Sequence, residues 1–288
     1  MGHPPDIMSF ERLVPMGTSN AAPPQIAILV PFEEENFHKD YREFYEAKKN
    51  NLFAFIQRFR EVWECCQMLD DIWMREVRDL EQQRDVANQV PLMLFFRAHL
   101  QIRLAFELGF SGCSSEAWNT IRSAIEFAAH ALRPLREPNL ISVWLNQNDG
   151  ADEKKAFEQA FIHRKKDQVF PERHGLETLH WYWKNYSEWG THSTLAALAK
   201  SVTLNRQGVG RSWQVHYLDA DESRLARYLP HLVLVAAQIE KQFFGAFASR
   251  LQFDNELVGL RAAFENAEKQ ARQNIITRFR IPPPTLFP

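Results

Sequence analysis

The sequence has few cysteines, few glycines and no long apolar run, and each shortage excludes a class of protein. Three cysteines in 288 residues cannot form a disulfide framework, and no C-x-x-C pair indicates a zinc site. No run of about 18 apolar residues is present to cross a bilayer, and the N-terminus lacks the layout of a signal peptide. We therefore expect a cytoplasmic protein in a reducing compartment, with no membrane partner.

Neither sign of charge is in excess. The 34 basic and 36 acidic residues give a formal net charge of −2, without the electrostatic footprint of a nucleic-acid or anionic-membrane binder. The signatures of nucleophilic catalysis and of phosphate cradles, such as G-x-S-x-G, the P-loop and G-x-G-x-x-G, are also missing. Composition favours no enzyme class, and we expect no cofactor.

Helical periodicity is what the sequence has in abundance. The stretch Leu92–Leu132 predicts two apolar helices joined by a Gly/Ser turn, with Phe96 and Leu100 on a broad buried face of the first. Pro91 suits the first turn of that helix, where its missing N–H has no intrahelical acceptor. This hairpin is expected at the centre of a helical bundle.

Longer patterns surround the hairpin. Apolar steps of three and four from Tyr41 to about Val86, without Pro or Gly, predict one long helix, and the segment around Gly208 carries the only hairpin signal. We predict an all-α fold, an elongated multi-helix bundle with a long N-terminal helix and at most one small β-hairpin. The predicted parts are a flexible arm at residues 1–30, a single helical domain at 31–280 and an extended Pro-rich tail at 281–288.

The second central helix carries three polar residues one turn apart, Arg122, Glu126 and His130. An Arg and a Glu in this arrangement can hold a polar ligand or orient a catalytic His. The other interpretation, and the more common one, is a structural ion pair at the edge of the core.

A second cluster runs from His180 to Ser193 and is dense in Trp, Tyr and His. Such side chains line pockets with aromatic faces and polar ends, but they also serve as amphipathic core residues. The candidate binding residues here are Tyr186, Ser187, His192 and Ser193.

Metal binding has only a weak signal. The Glu-x-x-His spacing of di-iron bundles occurs at Glu35 with His38 and at Glu177 with His180. The first pair lies in a highly charged segment, and no further buried carboxylates are evident. We expect no metal site.

Across residues 121–198 the sequence resembles an uncharacterised bacterial all-helical family. The shared pattern is IRSAIEFAAHAL, then PNLISVWL, then a helix with Phe157 and Phe161, then YSEWGTHS. In that family an Arg-x-x-x-Glu helix and a Ser-to-His segment recur together, so the resemblance implies that Arg122 and Glu126 pair with Ser187 and His192. It implies a fold more than an activity.

More distantly, the helical layout resembles HEPN domains, many of which are metal-independent ribonucleases with an Arg-x(4–6)-His motif across a dimer. Arg173 with His180 has this spacing, as does Arg224 with His231, and about two such matches are expected by chance in this composition. The resemblance implies a ribonuclease in which His180 or His192 is the acid/base and Arg173 or Arg122 stabilises phosphate charge.

Two functions of different class follow from the sequence. The first is a non-catalytic helical binding or assembly protein, with a role in bacterial defence or stress. The second is the HEPN-like ribonuclease, which would make RNA a partner. In both, we expect a homodimer, formed through the long first helix or the aromatic faces.

Overall fold

The computed structural model describes residues 38–81, 86–162, 170–171, 175–187, 202–205 and 212–281. Within these residues it contains nine α-helices and one antiparallel two-stranded hairpin, which confirms the predicted all-α fold with one small hairpin. The elements in chain order are α1 (Lys39–Arg58), α2 (Arg60–Leu80), α3 (Val86–Phe110), α4 (Ser114–Arg136), α5 (Leu140–Leu145), α6 (Ala151–Phe161), α7 (Glu177–Tyr186), β1 (Val202–Asn205), β2 (Ser212–Val215), α8 (Glu222–Phe247) and α9 (Asn255–Phe279).

The α3–α4 hairpin is the most extensive helix pairing of the bundle, as the apolar pattern predicts. Fully buried alanines line both helices, including Ala98 and Ala105 on α3 and Ala124 on α4, and small side chains allow close helix packing. The position predicted for Pro91 is wrong, because α3 begins at Val86 and contains Pro91 within it. The residues before it extend the helix by a turn, since Val90 packs in the core.

The predicted long first helix is two helices, α1 and α2, separated at Phe59. Phe59 has non-helical dihedrals (φ −117°, ψ 41°) and is fully buried. Its ring stacks on Phe279 at 5.5 Å between centroids, and Arg278 donates a hydrogen bond to the carbonyl oxygen of Arg58 at 3.0 Å. The end of α9 therefore holds Phe59 and satisfies a carbonyl that the helix break leaves without its intrahelical donor.

The helices α2, α8 and α9 form the other part of the core. Leu69 and Trp73 of α2 pack with Phe243 of α8 in one continuous cluster of buried residues, and α2 also pairs along its length with α9. Because the buried faces of α2 and α8 are wide, both helices also bury charged side chains.

Two ionic clusters fix α2 to its neighbours. Arg75, 4% exposed, donates to Asp79 on its own helix, to Asp254 at 2.7 Å and to Glu256 at 3.0 Å. Such pairing offsets the cost of burying the guanidinium group.

The second cluster joins three helices. Arg261 of α9 donates to Glu76 of α2 at 3.3 Å and to Glu240 of α8, and both carboxyl groups are almost fully buried. Burial, and secondarily the nearby Glu240, raises the pKa of Glu76 well above its usual range, and Arg261 offsets only part of this. Burial therefore disfavours the ionised form of Glu76 in the folded protein.

Residues Phe44–Pro288 form one compact unit and Met1–Glu43 another, of which only the part from residue 38 is described. The arm predicted at 1–30 and the tail beyond Ile281 lie outside the described residues. None of the helices in the described part is both long and apolar enough to cross a membrane.

Candidate functional site

The predicted residue Arg122 lies at a polar contact between α4 and α7, here called the Arg122 node and made of Arg122, Glu126, Trp183 and Ser187. The Nε of Arg122 donates to Ser187 Oγ at 2.6 Å, and its guanidinium carbon lies 4.4 Å from the centroid of the Trp183 ring. The Nε1 of Trp183 donates to Glu126 Oε2 at 3.4 Å, and that oxygen is 4.0 Å from Arg122 Nη1.

The node forms because two pairs of residues with the same helical spacing face each other. Arg122 and Glu126 are four residues apart on α4, and Trp183 and Ser187 are four apart at the end of α7, where the Ser187 hydroxyl also donates to the Trp183 carbonyl at 2.8 Å. The structure therefore brings together three of the residues that the family resemblance pairs. The fourth, His192, lies outside the described residues.

The arrangement satisfies the charge of Arg122 internally. One face of the guanidinium group lies on an aromatic ring and one edge donates to a buried hydroxyl, while the carboxylate of Glu126 stays 43% exposed. This geometry suits a clamp between two helices. Among the described residues it offers an incoming ligand one half-exposed carboxylate rather than a converging set of donors.

His130 does not join the node. Eight residues after Arg122, its direction on the helix has turned by about 80°, and its ring lies 5.2 Å from Phe161 and 6.5 Å from Phe157 of α6. Phe157 also lines a cleft of about 270 Å³ with Lys154 and Glu158. The three residues that the sequence groups together on α4 therefore contact two different helices. Arg122 and Glu126 contact α7, whereas His130 contacts α6.

The aromatic residues of α7 pack inward. His180 stacks on Phe170 with centroids 5.1 Å apart, and the fully buried Tyr186 places its hydroxyl 2.9 Å from His231 Nε2. Burial lowers the pKa of His231 to about 4 and raises that of Tyr186 well above its usual range. Both groups are neutral at physiological pH, and Tyr186 contacts the core rather than an open pocket.

The remaining catalytic candidates do not assemble in the described part of the chain. Arg173 and His192 lie outside it, as does the binding candidate Ser193. The second Arg-x(4–6)-His match, Arg224 with His231, does not form a joint site. Arg224 pairs with Asp219 at 3.4 Å, whereas His231 contacts Tyr186. The first of the two Glu-x-x-His pairs includes Glu35, which lies outside the described residues. Among the described residues, no group of three His, Cys, Asp or Glu side chains could hold a metal ion.

A second surface, here called the α3 ridge, is absent from the sequence predictions. Met93, Phe96, Leu100 and Leu104 follow each other at steps of three and four along α3 and are 43%, 36%, 42% and 38% exposed. The assignment of Phe96 and Leu100 to a buried face is wrong. Helical periodicity identifies a helix that is apolar on several sides, but it does not tell which side the rest of the chain covers.

Polar groups flank the ridge and are themselves paired. Asp70 of α2 accepts hydrogen bonds from Arg103 at 2.6 and 2.7 Å and lies 2.6 Å from Nε2 of the buried His99. Burial alone would raise the pKa of Asp70, but the hydrogen bonds from His99 and Arg103 outweigh it and hold that pKa well below its usual range. Asp70 is therefore a permanent anion beside the ridge.

Two opposite charges lie near the ends of the ridge. Arg97 places its guanidinium group 5.7 Å from the ring centroid of Phe127 on α4. Glu107, 50% exposed, accepts a hydrogen bond from Lys48 of α1 at 3.0 Å. Glu107 is thus paired with a cation of its own chain, whereas Arg97 lies on an aromatic ring.

Comparison of the chain with protein-family models, with curated proteins and with solved structures finds no match. The two family resemblances therefore stay hypotheses that rest on the motifs alone.

Proposed function

We propose that this protein is a non-catalytic binding and assembly protein that associates with other protein chains through the α3 ridge. The observation that carries the proposal is the line of four apolar side chains, each at least 36% exposed, along one face of a single helix. Removing such a surface from water is favourable, and contiguous apolar patches are typical of interaction sites. Apolar residues in this spacing pack against a partner as one helix face.

The Arg122 node supports a structural role for the residues that the sequence marked as candidates. Arg122, Trp183 and Ser187 use their polar atoms on one another, and His130 packs on another helix. A bundle held in this way presents the α3 ridge on a rigid framework. We assign the node to holding α7 on α4.

The test uses a photoreactive phenylalanine analogue at Leu100. A matched control carries the same analogue at Asn266, an exposed position on α9. Irradiation in cells is expected to give a discrete protein adduct, identifiable by mass spectrometry, from position 100 and none from position 266. The adduct is expected to disappear when Leu104→Glu places a charge in the ridge. Absence of any adduct at position 100 would refute the proposal.

Catalysis is the competing outcome. The purified protein is expected to leave RNA intact. RNA cleavage that is lost in a His180→Ala/His192→Ala variant would overturn the non-catalytic proposal and favour the HEPN-like ribonuclease instead.

A further inference from the structure

The helix α9 is attached to the bundle differently from its neighbour α8. Four of its 25 residues are buried, whereas twelve of the 26 residues of α8 are buried. Ion pairs supply further links from α9 and its N-cap to α2 and α8. Segments with few buried apolar contacts open at a lower free-energy cost than the core of the same protein.

We propose that α9 is a strap that opens while the rest of the bundle stays folded, and that the Glu76–Glu240–Arg261 cluster makes this opening depend on pH. In the closed state α9 covers side chains of α2, and in the open state water reaches them. The inference concerns α9 alone and does not rest on the proposed function.

The cluster has one cation for two buried carboxyl groups. Arg261 donates to Glu76 at 3.3 Å and to Glu240, and no other cation among the described residues pairs with either carboxyl group. Asp79, which also acts on Glu76 from α2, is itself paired with Arg75. With both carboxyl groups ionised, the cluster would bury one negative charge in excess. Because Glu76 and Glu240 lie within hydrogen-bond distance of each other, a proton held between them removes this excess.

Opening is therefore linked to the loss of a proton. Burial, and secondarily Glu240, raises the pKa of Glu76 in the closed bundle. When α9 leaves, Arg261 leaves with it, water reaches both carboxyl groups, and their pKa values return to the ordinary range of about 4.3. Above that range the open state binds fewer protons than the closed state, so opening becomes more favourable as the pH rises.

The ion pairs at the two ends of α9 resist opening only weakly. Arg75 binds Asp254 at 2.7 Å and Glu256 at 3.0 Å, but these two carboxylates are 46% and 56% exposed. At the other end, the side chains of Arg278 and its acceptor Glu61 are also partly exposed. Ion pairs that water reaches contribute little to stability. After opening, Arg75 keeps its pair with Asp79 on its own helix, so its charge is not left alone.

Cys65 of α2 can report the open state. Its side chain is 1% exposed and lines a narrow gap together with Glu268, Ala271 and Arg272 of α9. Burial raises the pKa of the Cys65 thiol to about 12, so the closed state contains little reactive thiolate. Cys113, the N-cap of α4, is also buried and serves as the matched control.

The test measures labelling by N-ethylmaleimide in two chains. One keeps Cys65 and carries Cys66→Ala and Cys113→Ala, and the other keeps Cys113 and carries Cys65→Ala and Cys66→Ala. Each rate is divided by that of the same chain unfolded in urea at the same pH, which removes the pH dependence of the thiol itself. We expect the normalised rate at Cys65 to exceed that at Cys113 about tenfold or more. It is also expected to rise by up to about tenfold per pH unit between about pH 6 and about pH 8.

Glu76→Gln in the Cys65 chain separates the cluster from other causes of opening. It leaves one carboxylate for one guanidinium group and is expected to abolish the rise with pH. Glu265→Gln, at an exposed position of α9, is expected to keep that rise. Urea unfolding of each chain gives the labelling rate that complete unfolding allows, and Cys65 is expected to exceed it.

Four results would overturn the inference. They are equal normalised rates at the two cysteines, labelling of Cys65 no faster than complete unfolding allows, a normalised rate at Cys65 that is constant with pH, and a rise with pH that survives Glu76→Gln.

Discussion

Arginine side chains connect helices in this protein through different parts of the guanidinium group. Arg122 uses its planar face on Trp183 and its Nε on Ser187, whereas Arg278 donates to a backbone carbonyl where α1 ends. A lysine ammonium can replace the charge at such a site but not the flat stacking surface or the Nε–H donor.

We therefore expect Arg122→Lys to destabilise the protein by about 1–2 kcal/mol, because it loses the stacking contact and leaves the Ser187 hydroxyl without this donor. Urea unfolding at constant pH and salt gives the free energy of unfolding. The control is Arg227→Lys on the exposed side of α8, expected within about 0.5 kcal/mol of the wild type. Equal stability of the two variants would contradict the clamp role of the node.

The α3–α4 connection has a restrictive local geometry. Gly112 has a φ of +80°, and its carbonyl accepts a hydrogen bond from the backbone N–H of Asp219 at 2.7 Å. A Cβ at this position would lie 2.5 Å from the Asp219 carbonyl oxygen. The turn therefore requires glycine both for its dihedral angle and for its contact with the chain before α8.

We expect Gly112→Ala to lower the free energy of unfolding by about 1–3 kcal/mol. Alanine is strained at this left-handed φ, and its Cβ would also clash with the carbonyl oxygen of Asp219. Gly259→Ala on α9 is the control, because a Cβ there meets nothing within 4 Å. In a helix this change is expected to stabilise by about 0.5–1 kcal/mol. Thermal unfolding of both variants separates the two effects, and a stabilising Gly112→Ala would show the turn to be less constrained than described.

Periodicity predicted the helices well where local pattern and core packing agree. The α3–α4 hairpin follows from it, and the β1–β2 hairpin follows from the turn signal around Gly208. The break at Phe59 does not, because no Pro or Gly marks it and its causes are Arg278 and Phe279. A contact between residues more than 200 positions apart has no counterpart in a local pattern.

The candidate site was predicted in part. The contact of Arg122 and Glu126 with α7 follows from the resemblance, since spacing along one helix cannot identify the helix that it faces. The α3 ridge was missed for a related reason. Phe96 and Leu100 are as apolar as their buried neighbour Phe95, and only the completed packing tells which of them remains exposed.

For the molecule as a whole, the buried cluster around Glu76 predicts a dependence of stability on pH. The unfolded carboxyl group loses its proton at about pH 4.3, while the folded one keeps it well above that value. Folding therefore takes up a proton over this range, and the contribution of Glu76 to stability falls as the pH rises, by at most about 1.4 kcal/mol per pH unit.

We expect Glu76→Gln, which cannot ionise, to gain stability relative to the wild type between pH 5.5 and pH 8.5, values chosen to lie above about pH 4.3. Urea unfolding at several pH values gives the difference directly. Glu265→Gln, at an exposed position of α9, is the control for replacing a carboxylate with an amide on the surface. A constant difference for Glu76→Gln would mean that this carboxyl group is ionised in the native protein.

The pairing of α2 with α9 has a consequence for synthesis. Arg75 and its acceptor Glu256 are separated by 181 positions. At about 5–20 residues per second, a ribosome therefore adds Glu256 of α9 about 10–40 s after Arg75 of α2. During this interval the face of α2 that bears the buried Val62 and Cys65, which lie beside Ala271 of α9 in the folded protein, lacks that partner, although the α3–α4 hairpin can already fold. The nascent chain thus passes through a stage in which chaperones have an apolar helix to bind, and slower translation lengthens that stage.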